Sequence, residues 1–75
     1  MISVKEQLGM RIKYLRGELG WSQEELSFHA KINTTYLSDL ENGRRNPSLN
    51  ILNRLANAFN ISLSELFKGI IDFNR

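Results

Sequence analysis

Apolar side chains recur along this chain at intervals of three and four residues, the spacing that lines one face of an α-helix, and no stretch alternates convincingly with the period of a strand. The first series is Leu8, Ile12, Leu15 and Leu19. The second runs through Leu26, Ala30, Ile32, Leu37 and Leu40, and the third comprises Leu49, Leu52, Leu55, Ala56 and Phe59. Polar residues punctuate these series where helix ends need them. Ser3 with Glu6, Ser22 with Glu25 and Ser62 with Glu65 have the spacing of a capping box: the serine hydroxyl accepts from a free first-turn N–H, and the glutamate reaches back to the serine amide. Asn33 and Ser48 stand as simple N-caps. Trp21 with Leu26, Ile32 with Leu37 and Ile61 with Leu66 have the spacing of hydrophobic staples. Gly20, Gly43, Asn60 and Gly69 supply residues that tolerate the left-handed conformation closing a helix. The pattern predicts an all-α chain of five helices, the last a short one from Ser62 through Lys68. Gly17, inside the first helix, costs about 1 kcal/mol against alanine. It marks either a close approach of another backbone or an early end to the helix.

Lys31 and Ile32 leave room only for a turn between the second and third helices, so residues 22–43 form a two-helix corner. Leu26, Ala30, Ile32, Leu37 and Leu40 take its inside, which leaves Thr34, Thr35, Ser38 and Asp39 on the open side. That face is short, polar and uncluttered, the character of an element that reads DNA. Arg44-Arg45-Asn46-Pro47 follows as a polar loop, with Asn46 pushed out of helical geometry by the proline.

Composition narrows the class without deciding it. At 75 residues the chain is expected to be one domain, residues 1–75, with a core too thin for a second catalytic lobe. Its formal charge of +2 and isoelectric point near 9.3 permit a nucleic-acid partner without demanding one, because Glu24, Glu25 and Glu41 offset much of Arg11, Lys13, Arg44 and Arg45. No cysteine is present, which fits a reducing compartment. No apolar run approaches the roughly 20 residues of a spanning helix, and the opening Met1-Ile-Ser-Val-Lys5 lacks a signal-peptide pattern. A cytoplasmic protein without a membrane partner is the expectation. His29 is the only histidine and has no metal-ligand set at the right spacing, so the reading is of a helix residue rather than a ligand. No cofactor, metal, small-molecule effector or enzymatic activity is expected.

The segments Ser22-Gln-Glu-Glu-Leu26 and Tyr36-Leu-Ser-Asp-Leu-Glu-Asn-Gly43, with the later Asn46-Pro47-Ser48 and Leu55-Ala56, resemble the Cro/phage-repressor helix-turn-helix regulators, also called the xenobiotic-response-element family. The likeness extends over roughly Leu8 to Phe67 and implies a compact five-helix domain of the lambda-repressor-like DNA-binding type. It also implies roles, each with a plainer alternative. Gln23 would hold a phosphate and buttress the next helix, or be a solvated first-turn residue. Thr34, Thr35, Ser38 and Asp39 match positions that face base edges, where Asp39 would accept from cytosine N4, act against wrong sequences, or pair with a neighbouring arginine. Tyr36 contacts the DNA backbone or packs its ring, and Asn42, Arg44 and Arg45 match a loop that grips phosphates, an ordinary solvated pair of arginines being the alternative. Arg16 and Glu41 occupy the places of a buried structural ion pair. Two residues depart from the common pattern: many members have glycine where this chain has Lys31, and alanine where it has Ser27. Lys31 at a positive φ would cost on the order of 1 kcal/mol.

The tail Ile70-Ile71-Asp72-Phe73-Asn74-Arg75 is apolar for a terminus. It folds back, frays, or joins Leu63 and Phe67 of the last helix as a dimer surface, here extended over Ile70, Ile71 and Phe73. The resemblance implies a homodimer on double-stranded operator DNA. Controller proteins of restriction–modification systems are most like this chain in length and arrangement; phage repressors, antitoxins and a non-DNA-binding interaction module with the same fold are the other candidates.

Overall fold

A computed structural model describes residues 2–71 and is all-helical there, without a strand. The helices are α1 (Val4–Glu18), α2 (Gln23–Ala30), α3 (Thr34–Glu41), α4 (Leu49–Phe59) and α5 (Leu63–Leu66). Each begins at the polar residue the sequence offers. At Ser3 and Ser22 the capping boxes close in both directions: the Ser3 amide donates to Glu6 Oε1 at 3.0 Å and the Ser22 amide to Glu25 Oε1 at 2.8 Å. Asn33 Oδ1 accepts from two amides at once, those of Thr35 and Tyr36 at 2.8 and 3.1 Å. At Ser62 the hydroxyl accepts from the Glu65 amide, while the Glu65 carboxylate turns instead toward Arg11 and Lys68.

The first four helices end alike. A residue at positive φ (Gly20, Lys31, Gly43 or Asn60) reverses the chain. Its own amide and the next one then donate to the last free carbonyls, as from Gly43 to Leu40 at 3.1 Å and from Arg44 to Asp39 at 2.9 Å, the Schellman arrangement. Lys31 takes this role with φ at +59°, a strain that glycine would not carry. Lys31→Gly is therefore expected to raise the unfolding free energy by about 0.5–1 kcal/mol. Urea titration reads it; a loss of stability would mean that the lysine side chain contributes more than its backbone conformation costs.

Packing follows the apolar series. α1 lies on α3, α2 contacts α3 and α4, and α4 holds α5. Leu8, Ile12, Leu26, Ala30, Leu37, Leu40, Leu55, Ala56, Phe59 and Leu66 form one buried cluster, with Leu15, Trp21, Ile32, Leu52 and Leu63 packed at its edge. Ser27 is buried within α2, and its hydroxyl finds no hydrogen-bond partner among the described residues. An unsatisfied buried hydroxyl costs about 1–3 kcal/mol, so Ser27→Ala should stabilise the chain by about 1 kcal/mol. An unchanged thermal midpoint would show that the hydroxyl is satisfied in solution.

Three expectations need correction. Leu49 is exposed, because it occupies the first turn of α4, ahead of the part of the helix that meets the core. Leu19 is half-exposed, since α1 ends at Glu18 and Leu19 already belongs to the cap. α5 stops at Leu66 rather than Lys68: Phe67 to Gly69 form turns, and Gly69 at φ +83° lets the chain double back. Among the described residues no atom lies within 4 Å of the place of a Cβ on Gly17, so no backbone approaches it closely there; it sits in the last turn of α1, where its carbonyl accepts from the Gly20 amide at 3.0 Å. The close approach is at Gly9, which a Cβ would bring to 2.5 Å from the Glu41 carbonyl oxygen and 2.6 Å from that of Leu40.

Candidate nucleic-acid interface

Beneath the open face of α3 lies a buried polar centre. Arg16 of α1 meets Glu41 of α3 side by side, Nε to Oε2 at 2.7 Å and Nη2 to Oε1 at 2.9 Å, and Arg16 Nη1 also donates to the Trp21 carbonyl at 2.9 Å. The Glu41 side chain is only 3% exposed. Hydrogen bonding to this carboxylate holds the Arg16 guanidinium pKa above its ordinary value, against the opposing effect of burial. Gln23, at the first position of α2, completes the cluster by donating its amide to Glu41 Oε1 at 2.9 Å. Three helices are thus fixed around one carboxylate. Gln23 spends one amide hydrogen inside this scaffold and keeps the other.

On the outside, Thr34 and Thr35 are exposed at the N-terminus of α3, and Ser38 and Asp39 are half-buried one turn further along. The turn at Gly43 folds the arginine loop back over this face. Asp39 sits between both arginines, Oδ1 at 3.6 Å from Arg44 Nη1 and Oδ2 at 3.3 Å from Arg45 Nη2. The Arg45 guanidinium also lies over the Tyr36 ring, 5.1 Å from its centroid, while that ring packs partly against the core. Asn42, exposed at the C-terminal end of α3, donates its side-chain amide to the Ser38 carbonyl at 2.8 Å and so caps the helix. Thr34, Thr35, Ser38, Asp39, Tyr36, Arg44 and Arg45 therefore lie on α3 and the loop directly after it. Gln23 and Asn42 each commit one amide hydrogen to a bond within the chain, Gln23 to Glu41 and Asn42 to the Ser38 carbonyl.

The candidate dimer residues lie at α5 and the chain beyond it. Leu63 and Ile70 are partly buried against the core, whereas Phe67 and Ile71 remain exposed. Ile71 is tied down by Gln7, whose side-chain amide accepts from the Ile71 N–H at 2.7 Å and donates to its carbonyl at 2.8 Å. The chain as far as Ile71 thus folds back on α1; Phe73 lies outside the described residues. Sequence reasoning missed this clasp, for which a lone glutamine gives no signal. Arg11, which entered the sequence reading only in the charge balance, donates to the Glu65 and Leu66 carbonyls at 2.8 and 3.3 Å. His29 stacks flat on Trp21, with centroids 4.3 Å apart.

The helix-turn-helix family model matches residues 12–66, the stretch from the buried centre of α1 to the end of α5. The chain belongs to the helix-turn-helix family. Among its relatives, Control protein C.MunI of Mycoplasma sp is 39% identical over 71 residues, 93% of this chain and 96% of the relative. The HTH-type transcriptional regulator DdrOP3 of Deinococcus deserti is 42% identical over 60 residues; that alignment takes in 80% of this chain but only 46% of the longer relative, so this chain spans about half its length. The crystal structure of the restriction-modification controller protein C.AhdI from Aeromonas hydrophila superposes with a TM-score of 0.80 at 39% identity, covering 83% of this chain and 94% of that one. The fold is that of the helix-turn-helix controller proteins, and the family to which the chain belongs is one of DNA-binding regulators. The family is one of transcriptional regulators. Among the described residues, no helix is long and apolar enough to cross a membrane.

Proposed function

We propose that the chain acts as a homodimeric, sequence-specific regulator of restriction–modification controller type, a single DNA-binding domain that reads a roughly palindromic operator in the cytoplasm. The observation that carries this reading is the open face of α3. Small hydroxyl side chains at Thr34 and Thr35 stand at its tip, no large apolar residue among the described ones blocks it, and two arginines flank it. Thr34, Thr35, Ser38 and Asp39 would meet base edges, where threonine bonds an edge or touches a thymine methyl. Arg44, Arg45 and Tyr36 would meet the backbone, joined by the remaining amide hydrogen of Gln23. Asn42 would act there chiefly through its cap. Phe67 and Ile71, the exposed apolar residues beside Leu63 and Ile70, would join two subunits. A dimer of this kind places two α3 helices about 34 Å apart, one turn of DNA. The match to C.MunI and C.AhdI over nearly their whole lengths supports the controller subtype.

Selection of bound duplexes from a random pool, followed by anisotropy titration of the winners at several salt concentrations, tests this. The expected result is two related half-sites about one turn apart, bound with an affinity that falls with salt by about 0.9 log units per log unit for each phosphate neutralised. No selective binding even at low salt would sink the regulator reading, and a lone half-site would sink the dimer.

A further inference from the structure

The two arginines beside the reading face are already engaged. Asp39 holds Arg44 and Arg45 at once, at 3.6 and 3.3 Å, and the Arg45 guanidinium also lies over the Tyr36 ring, 5.1 Å from its centroid. The turn makes this arrangement, since the Arg44 amide donates to the Asp39 carbonyl at 2.9 Å and so returns the loop to the residue that bears the carboxylate. We propose that Asp39 is a specificity-determining residue: its carboxylate stands in for a DNA phosphate on the free protein and makes the chain discriminate against non-operator DNA.

This rests on the DNA-binding reading above. A phosphate that engages either arginine must displace or approach a carboxylate of like charge, so the loop presents a net charge of one rather than two to any duplex. Non-operator DNA offers nothing in return. An operator with a cytosine opposite Asp39 offers its N4 amino group, a donor that pairs the carboxylate while both arginines move to phosphates. Adenine offers an N6 donor too, whereas guanine O6 and thymine O4 are acceptors that repel it. The same residue therefore weakens binding everywhere and recovers the loss only at suitable sites.

The test compares wild type with Asp39→Asn on two probes, a duplex selected by the wild-type protein and a scrambled duplex of equal length. Asn keeps the shape and removes the charge; circular dichroism and the thermal midpoint check the fold. On the scrambled probe the variant should bind about 3- to 30-fold more tightly, as two exposed ion pairs are released. Its salt dependence should steepen by about one unit of slope, for one more charge presented to the backbone. On the selected probe the gain should be smaller or reversed, so the ratio of the two affinities falls. Arg44→Gln with Arg45→Gln in the Asp39→Asn background should abolish the gain on scrambled DNA. The proposal is overturned if Asp39→Asn leaves scrambled-probe affinity within about twofold of wild type at low salt, or if the gain survives loss of both arginines, which would make it a general charge effect. Wild-type protein that binds neither probe would instead defeat the DNA-binding reading itself.

Discussion

Arg16→Ala is expected to lower the unfolding free energy by about 3–5 kcal/mol, the range measured when one partner of a buried ion pair is removed. The substitution takes away both hydrogen bonds to Glu41 and the one to the Trp21 carbonyl, and it leaves a carboxylate that is 3% exposed with only the Gln23 amide beside it. For a chain of this size total stability is about 4–11 kcal/mol, so the loss is a large fraction of it. The thermal midpoint should fall by tens of degrees, at roughly 4–8 °C per kcal/mol. Arg16→Lys should recover little, because an ammonium does not present the paired N–H groups that meet both carboxylate oxygens. Arg16→Met with Glu41→Leu should recover most of the loss, since an apolar pair removes the orphaned charge along with its partner. Denaturant titration of the four proteins decides the matter. An Arg16→Ala protein with near-normal stability but no DNA binding would mean that Arg16 acts at the DNA surface and not in the scaffold.

Much of this arrangement is written locally in the chain. Capping boxes at Ser3 and Ser22, the Asn33 cap and the glycine or asparagine stops act within one turn of the helix, so their spacing alone locates the ends to within a residue or two. Period alone also finds the core, failing only at Leu19 and Leu49, where the helical stripe runs out past the part of the helix that is covered. What could not be read from spacing are contacts between residues distant in the chain. Gln7 grips Ile71 across 64 positions and Arg11 caps the end of α5 across 55, and neither leaves a local signature. The candidate interface divides the same way. Thr34 and Thr35 were legible as the open side of α3, and pairing of Asp39 with a neighbouring arginine was one of its alternatives, but that one carboxylate bridges both Arg44 and Arg45 depends on how the turn at Gly43 returns the loop.

The two glycines within α1 should respond to alanine with opposite signs. Gly9→Ala places a methyl 2.5 and 2.6 Å from the carbonyl oxygens of Glu41 and Leu40, atoms of the α3 backbone that cannot swing aside as a side chain would. Relief requires α1 to move away from α3, which loosens the packing of Leu8 and Ile12 and strains the Arg16–Glu41 pair one face along. Overpacking of a well-filled interior costs about 1–3 kcal/mol, occasionally more, and here the upper end is expected even after alanine's helical advantage of about 1 kcal/mol. Gly17→Ala meets nothing within 4 Å among the described residues, so only that helical advantage operates and the protein should gain about 0.5–1 kcal/mol. Because both substitutions add one methyl to one helix, any general effect of alanine on the unfolded chain cancels in the difference between them. Equal stability of the two variants by urea titration would show that α1 and α3 are not in backbone contact at Gly9. Equal DNA affinity of Gly9→Ala and wild type, at a temperature where both are folded, would show that the setting of α3 on α1 does not aim its reading face.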